Sequence, residues 1–261
     1  MKKIAAILIG LCAVAANASA VKLSDISKLD AIIKQMSPKA QKEIKIDDKE
    51  AFLDELQIVL DEEKKFLNDG DLPLYFLIDK KHKAPDGYEP KNIKALTANK
   101  LYNLNKNGLS LRTDVELELQ KMAKAAKNDG ITLLVRSTYR SYEYQKNLFQ
   151  YWVDRDGLVE AERESARPGT SQHQLGSAID FGMLSNEFMN TPQGKWLYNH
   201  GWKYGWSLSF PQEYEDITGY RYESWHYRFI GIPACKFQRK YFNNVQQYML
   251  EFIDLWKSWK A

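Results

Sequence analysis

The chain contains four histidines, few enough for each to be weighed against its neighbours. His82 lies in Lys80-Lys81-His82-Lys83, where positive neighbours discourage a cation, and reads as a surface residue. His200 follows Trp196 by four residues at the end of a short helical pattern, where an imidazole caps or packs. His173 and His226 remain. His173 stands in Ser171-Gln172-His173-Gln174-Leu175-Gly176-Ser177-Ala178-Ile179-Asp180. With Ser177 to Phe181 as a strand, Ala178 and Asp180 share a face, and Gly176 lets the backbone turn so that imidazole and carboxylate address one point. Taken alone, such a His and Asp form a structural hydrogen-bonded pair more often than a ligand set.

His226 lies in Tyr220-Arg221-Tyr222-Glu223-Ser224-Trp225-His226-Tyr227-Arg228-Phe229-Ile230. Glu223 precedes it by three residues, so in a flat strand the two side chains face opposite ways; both reach one site only if the chain bends near Ser224. Hydrolysis at a zinc ion needs three protein ligands, an open position for water and a base that is not itself a ligand. A carboxylate and a histidine bent towards two further ligands would meet that need.

The elements that must position these residues are readable by periodicity. Ile26, Leu29, Ile32, Ile33 and Met36 recur at helical spacing before Ser37-Pro38, and Phe52, Leu53, Leu56, Val59, Leu60 and Phe66 mark a second helix from Lys49 to about Asn68. Residues 21–71 are therefore expected to form an N-terminal helical hairpin. Leu72 to Ile78 reads as a strand and Lys80 to Asn92, with Pro85, Gly87 and Pro90, as loop. Thr113-Asp114-Val115-Glu116 has the form of a capping box opening a helix to about Asn128. A β-branched strand follows from Ile131 to Arg136, then an aromatic helix begun by Ser141, and a short helix from Thr191-Pro192 to Gly201. One amphipathic helix is expected over 237–261, packed on the core. The expected class is α+β, a small antiparallel sheet flanked by helices, with the chemistry in a domain spanning 72–236.

Composition narrows the setting. Residues 1–20, MKKIAAILIGLCAVAANASA, have the charged start, apolar run and small-x-small end of a secretory signal, and the run is shorter than the ~20 residues of a bilayer span. Its removal, with Lys2 and Lys3, takes the formal charge from +3 to +1, which argues against a nucleic-acid partner. The expected product is not stably inserted in a membrane and works in the periplasm or cell-wall compartment. Cys235 is then the one cysteine left, so no intramolecular disulfide forms, and without a base nearby in sequence it reads as a packed thiol. Seven Trp and fifteen Tyr fit a protein that grips sugars or peptides as well as one with a large core.

The motifs together resemble the zinc D-Ala-D-Ala carboxypeptidase family of the vancomycin-resistance type, with its related L,D-carboxypeptidases. S-x-H-x-x-G-x-A-x-D is met by Ser171, His173, Gly176, Ala178 and Asp180, and E-x-W-H by Glu223, Trp225 and His226, with Ser224 where proline is usual. Ser137-Thr138-Tyr139-Arg140-Ser141 with Gln145, Ala166-Arg167-Pro168-Gly169, and Trp196-Leu197 through Tyr204-Gly205-Trp206 are similar to further family motifs. The resemblance runs from about Leu72 to Gly231.

The resemblance implies zinc held by His173, Asp180 and His226, Glu223 as general base, and Arg140 directed at the scissile carbonyl. The alternatives are a Glu223 that merely orients His226, and an Arg140 that only starts a helix while Arg136 serves nearby. Ser171, Gln145 and Trp225 are expected at the substrate, Trp225 as an apolar wall sized for a D-alanyl methyl. The implied activity is removal of a terminal D-amino acid from peptidoglycan stem peptides. A peptidoglycan endopeptidase and a zinc-bearing binding module without turnover are the competing readings.

Overall fold

The computed structural model describes residues 23–260; the expected signal segment, 1–20, lies outside the described residues. Helix α1 covers residues 23–35, followed by α2 (Pro38–Glu43) and α3 (Lys49–Lys65). Then come β1 (Ile93–Ala95), β2 (Tyr102–Leu104), β3 (Ser110–Arg112), α4 (Thr113–Asn128), β4 (Leu133–Ser137), α5 (Tyr142–Asp156) and α6 (Leu158–Glu164). The remainder is β5 (Ala178–Phe181), α7 (Pro192–His200), β6 (Trp206–Leu208), α8 (Glu215–Thr218), β7 (His226–Phe229), α9 (Ile232–Tyr241) and α10 (Gln246–Ser258). The class is α+β. Its main sheet has the order β2-β4-β5-β7-β6, antiparallel except for the parallel edge pair β2–β4, and β1–β3 form a separate small ribbon. Among the described residues no helix is long and apolar enough to cross a membrane.

Four local expectations are corrected. The 21–71 segment carries a third short helix, α2, because Ser37 caps it and Pro38 sits in its first turn, where a missing N–H costs nothing. Leu72 to Ile78 is a turn-rich loop, not a strand. Its carbonyls are claimed by buried guanidinium groups: Arg228 donates to Leu74 O at 2.8 Å and Phe76 O at 2.9 Å, and Arg112 to Leu72 O at 3.4 Å. The Tyr75 amide donates to Glu63. The capping box does not form, since Arg112 holds the N-cap position without a side-chain bond and Glu116 turns inward to accept from Tyr102 Oη at 3.0 Å. The single C-terminal helix is two, α9 and α10, parted where Asn243 and Asn244 take positive φ (49° and 58°) and Gln238 closes α9 by bonding Asn244.

One hydrophobic core joins all of this. Leu29 and Ile32 of α1, Phe52, Leu56 and Val59 of α3, Ile179 and Phe181 of β5, and Phe237, Tyr241 and Phe252 of α9 and α10 belong to the same buried cluster. Phe52 is its hinge point, fully buried, with ring centroids 4.8 Å from Phe237 and Tyr241 and 5.3 Å from Phe252. Cys235 is buried in this core and burial pushes its thiol up, as a packed thiol requires. Phe52→Ala should therefore destabilise by about 3–5 kcal/mol, the usual cost of emptying a buried aromatic site. Denaturant unfolding should still show one cooperative transition for the termini and the sheet together; a separate early transition of the N-terminal helices would contradict the shared core.

Candidate metal centre

The site is assembled by sheet register. Asp180 on β5 faces His226 on β7 directly across an antiparallel pair, and Ser137 at the end of β4 faces Asp180 from the other side. His173 arrives from a 3-10 turn, Gln172–Leu175, capped by the Ser171 hydroxyl and closed by Gly176 at φ 68°. A side chain at Gly176 would be strained by that φ, and its Cβ would meet Ile93 Cδ1 at 2.7 Å. The chain turns at Ser224-Trp225, with the His226 amide donating to Glu223 O at 3.2 Å, and this turn brings the Glu223 carboxylate back to its histidine.

His173, Asp180 and His226 are all buried and offer ligand atoms within 4.8 Å of one another. His173 Nε2 lies 3.2 Å from Asp180 Oδ2, and His226 Nδ1 lies 3.0 Å from Asp180 Oδ1 and 3.6 Å from Glu223 Oε2. The far nitrogens settle the tautomers. His173 Nδ1 is 2.6 Å from the Thr138 carbonyl, which only accepts, so Nδ1 carries the proton and Nε2 a lone pair. His226 Nε2 is 3.1 Å from Gln172 Oε1 and likewise donates, leaving the Nδ1 lone pair facing Asp180. Burial and the Arg140 charge hold His173 neutral, its pKa down at about 4. Asp180 stays an anion beside the Arg140 guanidinium, its charge opposed by burial. Two lone pairs and an anion thus converge, and His173 Nε2 and Asp180 Oδ1 have no hydrogen-bond partner although buried. A cation relieves that arrangement, and this donor set of two neutral imidazoles and one carboxylate fits a divalent transition metal.

Glu223 is buried beside the triad; burial, with the Asp180 charge, raises its carboxyl well above the ordinary value, so it is a strong proton acceptor. Arg140 lies at the N-terminal approach to α5, its backbone N–H donating to His173 O and its Nη1 3.9 Å from Asp180 Oδ2. Burial pulls its pKa down against the raising influence of Asp180 and Glu223. A cleft of roughly 310 Å³ opens at this point, lined by Arg140, Asp180, Glu223 and His226 and also by Ser171 and Trp225. Gln145 does not line it. That amide is fully buried and donates to Ser165 Oγ and Ala166 O at 3.1 and 2.7 Å, so it fixes a strip of cleft wall without facing the space. His82 pairs with Asp79 on the surface and His200 packs on Trp196, both away from the triad.

Sequence reasoning missed the residues that hold the candidate ligands in place. Gln172 Oε1 also accepts from Ser209 Oγ at 2.7 Å, and Gln246 on α10 bonds both Ser209 (3.2 Å) and Gln172 (3.4 Å). Phe210 packs on the His226 ring at 4.7 Å. The one available signal was that Gln246 falls beside the apolar stripe of a helix; its separation from Gln172 by 74 residues hid the pairing.

With this geometry in view, the comparisons with known proteins decide the family. A family model described as D-alanyl-D-alanine carboxypeptidase, VanY, matches residues 108–232. YodJ of Bacillus subtilis (strain 168), a carboxypeptidase by name, is 35% identical over 166 residues, 61% of this chain and 61% of its own length. The solved LdcB LD-carboxypeptidase is 30% identical, with a TM-score of 0.59, over 70% of this chain and 86% of LdcB. The chain belongs to the VanY-type D-alanyl-D-alanine carboxypeptidase family. Within the family, a glutamate-to-alanine mutant of the vancomycin-resistance D,D-pentapeptidase VanY, solved in complex with Zn(II), is 27% identical, with a TM-score of 0.53, over 63% of this chain and 92% of that one. The chain spans about three fifths of YodJ, and α1 to α3 and α10 lie outside the VanY family match.

The Gln246–Gln172–His226 path makes α10 a support of this VanY-type centre. Gln172→Leu leaves all three ligands in place but frees the His226 ring and its tautomer, so affinity for a divalent transition metal should fall by about 10–100-fold at unchanged stoichiometry. Gln246→Leu should move it in the same direction by less. Competition with a chromophoric chelator measures both, and wild-type affinity in Gln172→Leu would contradict the path.

Proposed function

We propose that the chain is an exported zinc peptidase that removes a terminal D-amino acid from peptidoglycan stem peptides. The observation that carries this reading is the convergence of two imidazole lone pairs and the Asp180 carboxylate, with a non-ligand carboxylate, Glu223, 3.6 Å from His226 and a guanidinium, Arg140, on the other side. Family membership and the Zn(II) in the related VanY support it. The signal-like residues 1–20 support delivery to the periplasm or cell-wall compartment, where such peptides are found.

His173 Nε2, His226 Nδ1 and the Asp180 carboxylate would hold the zinc. Bound there, it supplies a Lewis acid that acidifies water towards neutrality and polarises a carbonyl. Glu223 takes a proton from the attacking water and returns it to the leaving amine, for which its raised basicity suits it. Arg140 aims fixed N–H donors at the oxygen on which negative charge grows, a contribution of about 3 kcal/mol for such preorganised donors. Trp225 and Ser171 line the cleft next to these groups, the indole as an apolar wall for a small side chain.

Two variants test the roles. Glu223→Gln keeps size and packing but cannot accept the proton, so hydrolysis per bound zinc should drop by roughly 10²–10⁴-fold while zinc content stays at the wild-type level. Cleavage that merely tracks the zinc retained would make Glu223 a brace for His226. Arg140→Lys keeps charge but loses the planar fork, and kcat/KM should fall by roughly a hundredfold with the fold intact; near-normal turnover would contradict the assignment. Mass spectrometry of products from defined tetrapeptide and pentapeptide muropeptides reads both and identifies the bond cut, and loss of one terminal residue is the expected result.

A further inference from the structure

Arg136 takes no part in the metal centre. It projects from β4 into the same cleft, one residue past Val135, and its nearest bond is a long one, Nη1 to Gly182 O at 3.4 Å. The parallel neighbour β2 ends beside it: Leu104 pairs with Val135, the Asn105 amide donates to Val135 O at 2.9 Å, and exposed Lys106 follows. Of the other basic groups of the cleft, Arg140 is engaged at the metal centre, 3.9 Å from Asp180, and Arg221 pairs with Glu164 at 2.6 Å. Among the described residues neither Arg136 nor Lys106 has a carboxylate within ion-pair distance.

Opposite them α5 presents Tyr144, Leu148 and Trp152, spaced by four on one face and all lining the cleft. Lys106 Nζ reaches across to within 5.8 Å of the Tyr144 ring, and the Arg155 guanidinium lies 3.9 Å over Trp152 from outside. This part of the cleft therefore has two unneutralised cations on one wall and an apolar, aromatic stripe on the other. Such a surface is complementary to an anionic head on an aliphatic stem. We propose that Arg136 and Lys106 form a specificity subsite for a free carboxylate on a residue of the substrate peptide away from the scissile bond, so that the preferred substrate is an acidic peptide. This deepens the peptidase reading of the cleft and rests on it.

The test compares two synthetic stem peptides that differ only in an internal side-chain group, free carboxylate in one and carboxamide in the other. Binding is measured by calorimetry to zinc-loaded Glu223→Gln full-length protein, in which turnover does not interfere. The acid should bind roughly tenfold more tightly, as a charge-assisted pair partly shielded from water allows, with the ratio shrinking at high salt. Adding Arg136→Gln should bring the ratio to about one, Arg136→Glu should invert it, and Lys106→Gln, at an exposed position that folding does not need, should lower it in part. Equal affinity for the two peptides, an unchanged ratio in Arg136→Gln, or no binding of either peptide would overturn the subsite. Wild-type turnover of the same pair judges the peptidase reading separately: peptides that bind with the expected preference but stay uncut would sink that reading and leave the subsite standing.

Discussion

A carboxylate buried between two imidazoles is the constraint from which the rest of the site follows. Asp180 is 4% exposed, and an isolated anion there would be strongly disfavoured. Arg140, 3.9 Å away, is the fixed positive charge that keeps it ionised, while His173 and His226 stand at 3.2 and 3.0 Å. Yet both histidines have their protons committed elsewhere, one to the Thr138 carbonyl and one to Gln172, so what they turn towards Asp180 are lone pairs. Such a cluster is unfavourable as it stands and becomes favourable around a cation. Pairing partners that would suit a structural hydrogen-bonded trio are thereby turned into a ligand set.

The fold serves that constraint from a distance. Register places Asp180 against His226, a glycine-closed turn delivers His173, and α10 reaches the site through Gln246, Ser209 and Gln172. The terminal helices share one core with the sheet through Phe52, which makes them part of the scaffold although the VanY match stops at residue 232. A metal centre needs its ligands held within tenths of an ångström, and buried side-chain networks hold them more tightly than loops alone.

Much of this was legible in the sequence, and the parts that were not share a cause. The helices begun by Ser141 and Thr191 carry their own side-chain caps, and the helix from Thr113 its own apolar periodicity, so local chemistry announces them. The spacing of His173, Asp180, Glu223 and His226 allowed a common point, and the family motifs supplied the roles. Leu72 to Ile78 misled because its apolar residues look like a strand while its carbonyls are satisfied by Arg228, some 150 residues away, and nothing local reports that. Gln145 is expected at the substrate from its place in a family-like motif, yet it bonds Ser165 and Ala166 within the wall. Gln246 is invisible for the same reason: its value lies entirely in a long-range contact.

The most direct test of the central claim is X-ray absorption at the zinc edge on wild-type protein purified without chelators, with metal content measured on the same sample. The lone-pair geometry predicts about one zinc per chain in a shell of nitrogen and oxygen at ~2.0–2.1 Å, with the outer scattering of two imidazoles and no sulfur. Protein that carries no transition metal and takes up none, or a shell lacking two imidazoles, would contradict it.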